Sequence, residues 1–135
     1  MKDTAIYNYF VNKHPDIYQE ALKLINQPYL NNLDFIPIIY KTLWNECENP
    51  NENRHYFFAV LINLYHPLWF TTGRKLKIGL RSAFANAAGY VSPEMVNEHT
   101  RRLSAYMKGK SFSEKVISES NRFFDQYHTD LKQLN

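Results

Sequence analysis

Lysine and arginine gather between residues 74 and 122 of this sequence, and they are its best candidates for chemistry. Arg74, Lys75, Lys77 and Arg81 precede or decorate one helical stretch, and Arg101, Arg102, Lys108, Lys110 and Lys115 lie on and beyond the next. Clustered cations neutralise phosphates, and the counterions released supply most of the non-specific affinity for nucleic acid. Asn97 stands among them. Asn and Arg are the side chains that can grip adenine and guanine edges through two hydrogen bonds each. Ser92 opens the segment that carries Asn97, and a helix N-terminus there would hold a phosphate on its free N–H groups. The same residues also suit an ordinary solvated helix face, so charge alone does not separate the two readings.

The clustering is uneven enough to matter. Residues 1–73 carry 5 Lys/Arg against 7 Asp/Glu, residues 74–122 carry 10 against 4, and residues 123–135 carry 1 against 2. The net charge of +3 is therefore a basic segment of +6 between two weakly acidic ones. Such asymmetry within one chain points to an anionic partner.

The segment between Leu80 and Val96 has the layout of a helix-turn-helix. That motif packs two helices steeply across a short turn, so the first needs small residues and the turn needs a glycine. Ala85 and Ala88 are small, Gly89 can reverse the chain, and Ser92-Pro93-Glu94 is a strong helix start with an acid in the first turn. Val96 would face back to the first helix. Two features depart from the tight form: the turn is longer by one residue, and His99 takes a place where an aliphatic residue is expected.

Other chemistry is poorly supported. His14, His55, His66, His99 and His128 are dispersed and form no ligand spacing of the His-Glu-x-x-His kind. Glu98 and His99 are neighbours in sequence and diverge on a helix. Cys47 lies on an apolar stripe between Glu46 and Glu48, opposite to the exposed, electropositive setting that a reactive thiolate requires. Thr71-Thr72-Gly73-Arg74-Lys75 lacks the first glycine, the lysine and the Ser/Thr offsets of a phosphate-binding loop. Glu94 and Glu98 share a helix face that reads as solvated rather than as an acid–base pair. The expectation is a non-enzymatic protein without metal or cofactor.

The elements that would position these residues are helical. Ile6, Tyr9 and Phe10 mark a first short stripe, and Ile17, Ala21, Leu24 and Ile25 a second. After Asp34, a candidate N-cap, and Pro37 in the first turn, Ile36, Ile39, Tyr40, Leu43, Trp44 and Cys47 recur at helical spacing. Asn49 and Pro50 punctuate the chain. The next helix, from about residue 53 to 65, is apolar nearly all round, as a central buried helix would be. Leu76, Leu80, Ala83, Phe84 and Ala87 trace the helix that ends at Gly89. Met95, Val96, His99, Leu103 and Tyr106 carry the following one to Gly109. Val116, Ser120, Phe123, Phe124, Tyr127, Leu131 and Leu134 form the inner edge of a long closing helix.

These stripes predict an all-α fold: a compact bundle of six to seven helices in a single domain. Residues 1–73 would be its acidic, aromatic scaffold, and residues 74–122 its basic, helix-turn-helix-like part. One cysteine excludes an intramolecular disulfide, and no apolar run of signal-peptide type follows Met1, so a cytoplasmic setting is expected. Residues 56–70 are interrupted by Asn63, His66 and Pro67 and are shorter than the roughly 20 residues of a membrane span. The leading functional expectation is a small DNA-binding regulatory protein acting through a basic helical face. The alternative is a protein-interaction module, adaptor or inhibitor, whose exposed aromatic surface at Trp69 and Phe70 meets a protein partner or a second copy of the chain.

Overall fold

The structure, a computed structural model, describes residues 28–72 and 75–134 together with positions 13, 15, 16 and 19, leaving out the side chains of residues 71, 72 and 129–134. The expected stripes of residues 6–10 and 17–25, and the cation Arg74, lie outside the described residues. Within them the chain is all-helical, with no strand. Five helices have seven residues or more: α1 (Phe35–Glu46), α2 (Arg54–Tyr65), α4 (Leu80–Ala88), α5 (Glu94–Thr100) and α7 (Lys110–Leu134). The described residues also include two single turns, α3 (Trp69–Thr72) and α6 (Leu103–Tyr106), and a 3-10 turn at Pro50–Asn53.

α2 is the axis of the bundle. Every residue from Tyr56 to Ile62 is buried, as are Leu64 and Tyr65. Helices α1, α5 and α7 pack around it, and α4 closes the core against α1 and α5. The α1 stripe falls as its spacing requires: Ile36, Ile39, Tyr40 and Leu43 are buried, while Trp44 and Cys47 pack at its edge. On α7, Val116, Ser120, Phe123 and Tyr127 are buried and Phe124 is half-buried against His128. Aromatic rings fill much of the interior, with Tyr40 edge-on to Phe57 and Phe58 beside Phe84, Tyr90 and His99. This is the packing role that ring-rich sequences most often serve.

Asp34 holds the N-cap position of α1 as expected, but its side chain makes no capping hydrogen bond; its own N–H donates to Asn32 Oδ1 at 2.9 Å. Two local expectations are corrected. Leu76 is not part of α4, because Gly79 has φ +87° and ends any helical path from the preceding connection. The helix from Met95 to Tyr106 is also not continuous. Arg102, at φ −106° and ψ 6°, separates α5 from α6, and Met95 and Tyr106 are exposed rather than buried. Beyond the break, Leu103 is buried and the Ser104 hydroxyl donates to the Phe70 carbonyl at 3.3 Å, tying α6 to α3.

The C-terminal end of α4 follows the sequence closely. Gly89 takes the left-handed conformation at φ +77°, its N–H donates to the Asn86 carbonyl at 3.2 Å, and the Tyr90 N–H donates to the Ala85 carbonyl at 2.8 Å. These are the two bonds of a Schellman motif, and they satisfy carbonyls that the helix end would otherwise leave open.

Candidate basic cleft

α5 does not stand clear of the surface along its whole polar side. Its Asn97 face closes one wall of a cleft of about 480 Å³. Opposite it runs the connection from Lys75 to Gly79, and the first turn of α4 supplies Arg81 and Ser82. Trp69, from α3, and Thr100, from α5, complete the lining. None of the ten lining residues is acidic. Four of the expected nucleic-acid contacts, Lys75, Lys77, Arg81 and Asn97, therefore share one concavity with Trp69, the ring expected to meet a partner.

Each wall has a physical reason for its place. Gly79 reverses the chain so that Lys77, Ile78 and Arg81 flank a turn closed by the Leu80 N–H to the Lys77 carbonyl at 3.1 Å. The Lys77 backbone N–H donates to His66 Nδ1 at 3.3 Å, which pins the connection to the end of α2. The Lys77 ammonium rests 3.6 Å from the centroid of the Tyr29 ring, a cation–π contact. Burial lowers its pKa. The side chain is thus already engaged, whereas Lys75 is exposed in the cleft and Arg81 is exposed with the Glu94 carboxylate as its neighbour. Burial, and then the charge of Lys77, also lower the pKa of His66, which suits a ring that must accept a hydrogen bond.

Trp69 is half-buried, and Phe70 meets it edge-on with centroids 5.5 Å apart and planes at 78°. Phe70 is half-buried as well, and both rings pack against the core. The Thr100 hydroxyl, 5% exposed, donates weakly back to the Asn97 carbonyl at 3.5 Å. At the rim Ile78 is fully exposed.

The remaining expected contacts are spread elsewhere. Arg101 and Arg102 are exposed at the break between α5 and α6, and Arg101 follows Asn97 by one helical turn. Lys108 is exposed, and Lys110 stands 4.0 Å from Glu114 in an exposed ion pair. Ser92 is turned to another task. Its hydroxyl hydrogen-bonds the Glu94 carboxylate, whose pKa is lowered first by its own backbone N–H, then by Ser92 and by Arg81. An acid at that helix start opposes a bound phosphate. Lys115 sits 4.7 Å over the Tyr56 ring.

Ser82, Thr100 and Ile78 line the cleft without having been singled out in the sequence, and Leu76 lines it after being expected on a helix stripe. Ser82 adjoins Arg81 and Thr100 follows Asn97 by three residues, so helical spacing could have found Thr100. Nothing local marks Ile78, because its exposure depends on the turn at Gly79.

Among the described residues, no three His, Cys, Asp or Glu side chains are grouped to hold a metal ion, and no helix is long and apolar enough to cross a membrane. Comparison with known proteins finds no match: no family model, no curated protein and no solved structure matches the chain.

Proposed function

We propose that this protein is a small nucleic-acid-binding regulator whose contact surface is the basic cleft between α5 and the connection into α4. The observation that carries this reading is the convergence of Lys75, Lys77, Arg81 and Asn97 on one cleft with no carboxylate in its lining. Cations collected on a concave surface raise the local concentration of a polyanion and screen poorly from one another, so their placement favours an anionic occupant. Arg101 and Arg102, exposed just beyond Asn97, extend the positive surface outward.

On this reading α4 and α5, which pack together, are the helix-turn-helix-like unit, with Ala85 and Val96 buried and the Gly89 turn between the helices. A cytoplasmic setting suits it, with Cys47 as a free thiol.

The test is a titration of labelled single-stranded and duplex oligonucleotides, followed by anisotropy over a series of salt concentrations. Binding is expected to weaken steeply with salt. The Lys75→Ala, Arg81→Ala double variant should bind more weakly and flatten the slope of log K against log salt by about 1.5 for two lost phosphate contacts. Absence of binding to every strand at low salt refutes the proposal.

A further inference from the structure

We infer that the cleft takes one unpaired base of a single strand, stacked on Trp69, with the flanking phosphates on Lys75 and Arg81. The inference rests on the nucleic-acid reading above and narrows it to single strands.

The reason is shape. A helix that reads a duplex must enter a major groove roughly 12 Å wide and 8.5 Å deep, so its reading side chains have to stand proud of the protein. Asn97, though exposed, instead lines a concavity together with Lys75 and Lys77 of the connection. A cleft of about 480 Å³ falls within the range of sites for small planar ligands, which suits a nucleoside and not a helix of DNA.

The chemistry of the lining agrees with the shape. Single-strand sites combine a basic track for the backbone with an aromatic ring on which a base stacks. Trp69, half-buried in the lining of the cleft, is that ring, and Phe70 meets it edge-on. The fully exposed Ile78 adds apolar surface at the rim, where a base's face can cover it. Asn97 offers an amide donor and acceptor to a base edge. With Lys77 drawn to the Tyr29 ring, Lys75 and Arg81 are left to meet phosphates on either side of the stacked base.

The experiment uses the full chain, with 12-nucleotide oligo(dT), 12-nucleotide oligo(rU) and a 12-base-pair DNA duplex as probes. Of the two tryptophans, Trp44 is replaced by Phe so that Trp69 is the sole reporter. At least one single strand should bind about tenfold or more tighter than the duplex and quench Trp69 fluorescence. Trp69→Ala should cost single-strand binding about tenfold and leave duplex binding unchanged, while Trp69→Phe, which keeps a ring and preserves packing, should retain most of it. Equal or tighter duplex binding, or single-strand binding without quenching, overturns the inference while leaving nucleic-acid binding intact. If no probe binds, the parent reading falls as well.

Discussion

The Tyr90 hydroxyl and His99 Nε2 are hydrogen-bonded at 2.6 Å, across the turn that joins α4 to α5. The two rings lie nearly parallel, at 11°, and His99 also packs against Phe58 in the core. Burial first, and the nearby charge of Arg54 second, lower the pKa of His99, so the ring is neutral and free to share one proton with the tyrosine. His99 is thus a latch across the turn between α4 and α5. Tyr90 is held in turn by the Schellman bond to Ala85 and by the Arg54 guanidinium 5.2 Å from its ring.

Removing that bond should be measurable. Tyr90→Phe is expected to destabilise the protein by about 1 kcal/mol, the usual net value of one hydrogen bond. In a double-mutant cycle with His99→Phe the two changes should be less than additive, because each removes the same bond. Urea unfolding of the four proteins checks this, and full additivity would show that the contact contributes nothing.

Stability should be greatest in a window from about pH 6.5 to pH 10. His55, His66 and His99 all have pKa values lowered from their ordinary 6.5, in each case chiefly by burial. The unfolded chain then binds protons more readily than the folded one, so stability falls as pH drops from 6.5 through the depressed values. Below the ordinary carboxylate value of 4.5 a further loss follows, since Arg122 holds the Glu46 carboxyl ionised through bonds of 2.8 and 3.1 Å. On the alkaline side, burial raises the pKa values of Tyr40, Tyr56 and Tyr65 above 10.0. The unfolded chain loses those protons first, so stability falls above pH 10. Thermal melts at a series of pH values test the window, and a maximum near pH 5 would contradict it.

Gly89 offers a cleaner test of backbone strain than most glycines. A Cβ there would meet nothing within 4 Å, so Gly89→Ala should cost only the left-handed conformation at φ +77°, about 1–2 kcal/mol. Gly89→Asn, which tolerates that region better, should cost less. Equal losses for both variants in denaturant unfolding would mean that the turn, and not its dihedral angle, sets the cost.

The helical body was legible in the sequence because it depends on local periodicity. Ile36, Ile39, Tyr40 and Leu43 fall at one face of any helix, and an uninterrupted apolar run from Tyr56 to Ile62 has nowhere to go but the centre. Gly89 was equally plain, since few residues other than glycine end a helix in the left-handed region at little cost. The clustering of charge was also visible, as a count along the chain.

Tertiary structure decided which of those charges act together. Arg81 and Asn97 are far apart in sequence and meet only because α5 packs back on α4, while Gly79 turns the Lys75–Ile78 connection across from them. Lys77 is removed from the free cations by Tyr29, a pairing between residues far apart in sequence that requires the fold to bring them together. Sequence could place His99 on a helix but not give it Tyr90 as a partner. Spacing along a helix is a property of the backbone alone, whereas a cleft exists only once separate elements have packed and left a gap between them.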